Sequence, residues 1–271
     1  MEQFIREVLK NSYDLHIHTA ANDRGFLRDD MDVLRAMDAY EMAGAVTKPN
    51  RSESCSRAYA VNKCCGTKAK MLGALALDFS TGGINPYAVK SALKLGAKIV
   101  WLPVLDYPKG LGIRGDDGNL LPQMYEIFDL MMASDAWLAT GHLSAEDAYL
   151  VCTEAVKHHV RCILTHPESR IPLAMQKELG DMGIMLEKTW CNVWHGTVTV
   201  KQMAENIRTV GAEHCFLSSD FGQSKNPLPP DGLSDMIKAL LQEGIREEDI
   251  YRMGHANPVS MMEKPSPKGR R

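Results

Sequence analysis

Eight short apolar runs, each followed by a segment of helical periodicity, predict an α/β chain closed into a (β/α)8 TIM barrel with parallel strands and outer helices. A length of 271 residues suits one such barrel, and no linker divides it. The candidate strands are SYDLHIH (12–18), GAVTK (44–48), KMLGALAL (70–77), AKIVWLPVL (97–105), AWLATGH (136–142), RCILTH (161–166), GIMLEK (183–188) and HCFLSSD (214–220). Between them, DVLRAMDAYEMAG, NPYAVKSALKLGA, PQMYEIFDLMMAS, SAEDAYLVCTEAVKHH, IPLAMQKELGDMG and TVKQMAENIRTVG repeat apolar residues at helical spacing. Several end in Gly just before the next strand, as left-handed helix caps do. Strict alternation implies parallel pairing, because a crossover between parallel strands needs a helix. The rival, an open doubly wound sheet, asks for a GxGxxG-like turn after the first strand, where HTAAND stands instead. Ahead of the first strand, MEQFIREVLKNS reads as a short amphipathic helix without the apolar run of a signal peptide. One barrel over residues 1–263 is expected, with a disordered tail, KPSPKGRR, at 264–271.

Composition narrows the function classes. With 45% hydrophobic and 24% charged residues the chain can bury a sizeable core. A net charge of −3 gives no reason to expect nucleic acid or an anionic membrane as partner. No run approaches the roughly 20 apolar residues of a membrane span. The seven cysteines form no CxxC pair, which reads as reduced thiols and a cytoplasmic location. A small-molecule substrate is expected, and homo-oligomerisation is left open.

Barrel active sites form where strands end, at the C-terminal rim. The first strand ends in His16 and His18, which share a face because side chains at i and i+2 do. The fifth ends in His142, the sixth in His166 and the eighth in Asp220, while Lys48 and Glu187 end the second and seventh. Imidazole nitrogen and carboxylate oxygen suit Zn2+, and a catalytic site keeps one position open. Such a metal lowers the pKa of a bound water from 15.7 towards roughly 7, with Asp220 or His166 placed to take the proton. His158, His159 and His214 precede strands and belong to the opposite rim, whereas His195 and His255 lie in loops.

These motifs, DLHIHT, TGH, THPE and SSDFGQ, resemble those of the amidohydrolase superfamily. Its members are metal-dependent hydrolases with HxH on the first strand, histidines ending the fifth and sixth, and an aspartate ending the eighth. The closing GIREEDIYRMGHANPVSMM is similar to the last helices of such proteins, and the resemblance spans roughly residues 12 to 263. More narrowly, GGINPYAVKSALKLGAKIVWLP and TGHLSAEDAYLVCTEAVKHH resemble an amidohydrolase-like branch that supplies no substrate. The resemblance implies His16, His18, His142 and Asp220 as metal ligands and His166 as the group polarising the substrate or holding a second metal. Binuclear members place a bridging carboxylated lysine or glutamate at the end of the fourth strand. IVWLPVLD offers nothing there before Asp106, so one divalent transition metal is expected, Zn2+ ahead of Mn2+ or Fe2+. DLHIHT also resembles the polymerase-and-histidinol-phosphatase type of phosphoesterase. That family expects a histidine after the second strand and Asp-x-His near the end, and VTKPN and SSDFGQ meet neither.

Metal-assisted hydrolysis of an amide, cyclic amide, lactone or related C–N or C–O bond is therefore expected, with Asp220, His166 and Lys48 as catalytic groups. Lys48 is open to three further readings: carbamylation, binding of a substrate anion, or a rim salt bridge. Arg28 and Arg57, in loops after the first two strands, and Glu187 are the candidate substrate contacts. Arg114, on the long 106–122 loop, is a candidate lid residue, and Trp101, Trp190 and Trp194 are candidate pocket walls or core. The alternatives are a metal-dependent decarboxylase and a metal-retaining barrel that binds a ligand without turnover.

Overall fold

A computed structural model describes residues 1–20, 28–104 and 112–263. The expected tail at 264–271 and Asp106 lie outside the described residues. Nine parallel strands form the barrel wall: β1 (Tyr13–Ile17), β2 (Gly44–Thr47), β3 (Lys70–Leu72), β4 (Ala74–Ala76), β5 (Ile99–Trp101), β6 (Trp137–Ala139), β7 (Cys162–Leu164), β8 (Met185–Thr189) and β9 (Cys215–Ser218). They pair in sequence order as β1-β2-β3 and β4 through β9. The expected third strand is thus split at Gly73, and its halves serve different neighbours. The cause is local. A Cβ on Gly73 would stand 2.4 Å from the Cys55 Cα, so the chain passes too close to the next helix for any side chain. Ser54 takes the vacated ladder position, its N–H donating to the Ala74 carbonyl at 2.9 Å and its Oγ accepting from Ala74 N at 2.9 Å. Counted as one kinked strand, β3 and β4 complete the eightfold barrel.

The ring closes between β9 and β1 just beyond the end of β9. Asp220 N donates to the His16 carbonyl at 2.9 Å, and His18 N donates to the Phe221 carbonyl at 2.7 Å. The fully buried Asp14 carboxylate fills this seam, accepting from His16 N and Ser219 N at 3.2 Å each. Burial pushes its pKa up to about 7.

Helices follow the strands and cover the wall: α1 (Glu2–Leu9) precedes β1, then α2 (Asp30–Ala39), α3 (Cys55–Cys64), α4 (Pro86–Lys94), α5 (Pro122–Met132), α6 (Ala145–Lys157), α7 (Leu173–Asp181), α8 (Trp190–Trp194), α9 (Val200–Val210) and α10 (Pro229–Gln242). Their starts carry the expected chemistry. Asp29, Asn85, Ser144 and Thr199 each cap a helix by accepting backbone N–H bonds. Among the described residues no helix is long and apolar enough to cross a membrane. The seven cysteines are free thiols.

Period-2 alternation divides the strand residues between two cores. Leu15, Val46, Ile99, Trp101, Trp137, Ile163 and Phe216 fill the barrel interior, while Ile17, Ala45, Val100, Leu138, Cys162, Leu164 and Leu217 face the helices. The described residues close with α11 (Glu247–Tyr251), a π-helical turn at 252–256 and α12 (Asn257–Glu263), whose Met261 and Met262 plug the barrel floor. One irregularity matters for the site. Between β1 and β2 the register runs Asp14 to Ala45, then Ile17 to Thr47, so β1 carries one extra residue. This bulge shifts the alternation: Tyr13 and Leu15 point inward below it, and Ile17 points outward above it. His16 and His18 are thereby turned into the barrel mouth instead of the helix layer.

Candidate metal centre at the barrel mouth

Where β1 and β9 end, three potential ligands converge: the nitrogens of His16 and His18 and an oxygen of Asp220 all lie within 4.8 Å of one another. Asp220 Oδ1 stands 3.2 Å from His16 Nε2 and 3.0 Å from His18 Nε2. The far side of each ring is tied back, His16 Nδ1 to Glu187 Oε1 at 2.8 Å and His18 Nδ1 to the Lys48 carbonyl at 3.1 Å. A carbonyl only accepts, so His18 carries a hydrogen on Nδ1 and turns Nε2 towards Asp220. Glu187 can fix His16 in the same tautomer, as carboxylates do behind metal-binding imidazoles.

Electrostatics fit that arrangement. Burial pushes the His16 pKa well below its usual value, against the pull of Asp220, which keeps the ring neutral. Burial opposes the charge on Asp220, but the facing imidazoles of His16 and His18 outweigh it and hold the carboxyl well below the ordinary range. His16 Nε2 is buried and has no hydrogen-bond partner among the described residues. A buried, unpartnered nitrogen beside a second imidazole and a carboxylate is a donor set suited to a divalent transition cation. Three protein ligands is also the number in catalytic zinc sites.

Backbone strain accompanies these side chains. Asp220 has φ 52° and His166 φ 24°, both left-handed. After Cys162 and Leu164, strict alternation would send His166 outward. The left-handed residue breaks that alternation, and the ring stacks against His16 at 5.9 Å. Gly222 permits the turn after Asp220, since a Cβ there would meet the His18 carbonyl oxygen at 1.9 Å.

His166 is held in one tautomer. Arg170 Nη2 donates to His166 Nδ1 at 3.3 Å, and to the carbonyls of Thr165 and Gly141 at 3.1 and 3.3 Å. A guanidinium cannot accept, so Nδ1 is the acceptor and the hydrogen sits on Nε2. That N–H faces Asp220 Oδ2 at 4.0 Å and His142 Nε2 at 3.3 Å.

The expected residues gather unequally. His16, His18, Asp220, His166 and Glu187 are within contact of one another, and Lys48 lies buried with Nζ 5.5 Å from the Trp101 ring centre. His142, expected as a fourth ligand, stands outside the three-atom set, with its Nε2 against His166. Glu187, expected as a substrate contact, holds His16 with one oxygen and accepts from His166 N at 3.2 Å with the other, and the residue is 1% exposed. Arg57, also expected as a substrate contact, donates to the Ala20 carbonyl and Thr19 Oγ1 and pairs with Asp30 at 3.6 Å. Arg114 is bound to Asp147 at the start of α6 and is no free lid residue. Arg28 is exposed and lines a small cleft with Gly222, Gln223 and Asn226. Trp101 and Trp190 are buried, and Trp194 is partly exposed against Phe221.

Three participants escaped the sequence reading. Asp14 sits inside the DLHIH motif itself, and Asp78 follows β4 and accepts from Val104 N at 2.8 Å. A strand-end criterion applied to GALALD finds Asp78. Arg170 lies in a loop, four residues beyond His166, and no local pattern marks it.

This barrel, with its ligand cluster on the first and last strands, has the fold seen in amidohydrolase-type structures. The amidohydrolase from Pseudomonas aeruginosa superposes with a TM-score of 0.66 at 14% identity, covering 96% of this chain and 97% of that one. The organophosphorus hydrolase from Deinococcus radiodurans gives 0.62 at 12% identity, covering 94% and 93%. A 2,6-dihydroxybenzoate decarboxylase in complex with 2,6-dihydroxybenzoate gives 0.56 at 14%, covering 94% and 100%. At these identities the likeness is one of fold. No curated protein matches the chain by sequence. The chain belongs to the family of unknown function DUF6282, whose profile matches residues 11–187.

Proposed function

We propose that this protein is a metal-dependent hydrolase acting on an amide, lactone or related carbonyl bond of a small molecule. The observation that carries the reading is the meeting of His16, His18 and Asp220 about one point, with His16 Nε2 buried and unpartnered. Two imidazoles and one carboxylate favour Zn2+ over harder cations, and the centre would hold one ion. Bound there, the cation supplies Lewis acidity towards a carbonyl oxygen and acidifies water.

The chain's own groups divide the remaining work. His16 and His18 hold the ion, oriented by Glu187 and the Lys48 carbonyl. Asp220 Oδ1 faces those two rings, and Oδ2 faces His166. Asp220, held ionised, accepts a proton from the attacking water and returns it to the leaving group. His166, locked by Arg170 with its hydrogen on Nε2, donates to the oxyanion that develops at the carbonyl. His142 supports His166 from the outer side and is not needed as a ligand.

Metal analysis of the purified protein and turnover in labelled water test this reading. About one transition ion per chain and one solvent oxygen in the product support it. Release of carbon dioxide without solvent oxygen replaces it with decarboxylation, and a chain that retains no metal removes it. His142→Ala should keep its metal, and loss of the ion from that variant would restore His142 to the ligand set.

A further inference from the structure

The molecule buries two lysines and treats them in opposite ways. Lys188 is 0% exposed on the outer face of β8, where its ammonium meets Glu168 at 3.2 Å, Asn206 Oδ1 at 2.5 Å and Gln176 Oε1 at 3.4 Å. That is a satisfied buried cation, with one counter-charge and two hydrogen-bond acceptors. Lys48, 2% exposed on the inner face beyond β2, has no hydrogen bond or ion pair to any described residue through Nζ. Its contact is the face of Trp101, 5.5 Å away.

The nearby carboxylates do not answer it. Asp220, Glu187 and Asp78 attract the ammonium at range. Asp220, however, faces the two histidines, Glu187 is bonded to His16 and His166, and Asp78 accepts from Val104 N. Two donors are buried without a hydrogen-bond partner among the described residues: the indole N–H of Trp101, whose ring Lys48 faces, and the Asn50 amide, two residues along the chain from Lys48. Unpartnered buried donors are rare in folded proteins and are costly unless something arrives to meet them. A divalent ion held by His16, His18 and Asp220 would raise that cost further, by placing a second positive centre near the ammonium.

We infer that Lys48 is the receptor for a carboxylate of the substrate, so that the molecule handled at this mouth is a small organic acid and not a neutral amide or ester. The inference rests on the proposed hydrolase reading for the reaction, but the anion site is a separate set of groups. A carboxylate brings one negative charge and acceptor oxygens to Lys48 Nζ, with Asn50 and the Trp101 N–H as the neighbouring donors. It gives the ammonium a direct counter-charge and leaves the reacting carbonyl to the centre at His16, His18 and Asp220.

Calorimetric titration of the metal-loaded protein with acetate and benzoate, beside their neutral isosteres acetamide and benzamide, tests this. Wild type should bind at least one carboxylate, tenfold or more tightly than its amide. Lys48→Met should lose at least tenfold in carboxylate affinity at unchanged metal content, and Lys48→Arg should recover part of it. Binding by Lys48→Met within twofold of wild type, equal affinity for acid and amide, or tighter binding of inorganic phosphate than of either carboxylate would each overturn the inference. Metal content of the same samples separates the two readings. One ion per chain without carboxylate binding sinks only the Lys48 receptor, and carboxylate binding by a chain that holds no metal sinks only the hydrolase.

Discussion

The mouth and the floor of this barrel are built by the same strands and differ in almost every other respect. At the floor, Leu15, Trp137 and Phe216 pack with Met261 and Met262, and the Trp137 indole donates to the Met261 carbonyl at 3.0 Å. Arg161 lies across that indole at 5.0 Å and donates to the Asp135 carbonyl. At the mouth, the inward positions carry His16, His18, Lys48, Glu187 and Asp220, and several polar atoms have no partner. The difference separates two requirements: the floor satisfies its groups internally, while the mouth leaves groups that an incoming ion or substrate must satisfy.

The comparison breaks most severely if the first histidine pair is removed. His16→Ala with His18→Ala should reduce metal content from about one ion per chain to near zero, with the far-ultraviolet spectrum of a folded barrel retained. A variant that still holds its ion would disprove the assignment of the centre. Next in size is the floor. Trp137→Ala should destabilise the fold by about 3–5 kcal/mol in urea titration, through lost packing and a freed Met261 carbonyl, with metal stoichiometry unchanged. If that substitution strips the ion instead, mouth and floor are not separable. Smaller again is the orienting carboxylate: Glu187→Ala should weaken metal affinity by about 10–100-fold in a competition with a chelator. No change would mean that Glu187 does not hold His16 in its working tautomer. The smallest effect belongs to a purely structural group on the mouth side. Ser144→Ala removes the cap on α6, where Oγ accepts from Asp147 N at 3.1 Å, and should cost about 1 kcal/mol without touching metal content.

Much of the mouth was legible because strand ends are legible. Strand ends placed His16, His18, Lys48, His166, Glu187 and Asp220 at one rim, although alternation alone would turn His166 and the histidine pair towards the helices. What failed was detail that depends on three-dimensional crowding. Gly73 reads as an ordinary strand glycine until Cys55 is found against it, and the bulge in β1 that aims the histidine pair leaves no local signal. Arg57 and Arg114 carry the right charge for substrate but satisfy carbonyls and carboxylates of their own chain. Arg170 was missed for the converse reason: nothing beside it in the sequence says that a loop will fold it back onto His166. His142 was placed at the correct rim, yet 24 residues from His166 along the chain it packs against that ring and not into the ligand set.

The seam between β9 and β1 has one more consequence. Two of the three donors come from the first strand to be synthesised and the third from just after the last, so an ion held between them acts as a clasp on the finished ring. Its binding free energy would count against opening of the whole structure, not of a single loop. A nascent chain would display both imidazoles long before Asp220 emerged, which makes tight capture of the ion a marker that the barrel has shut.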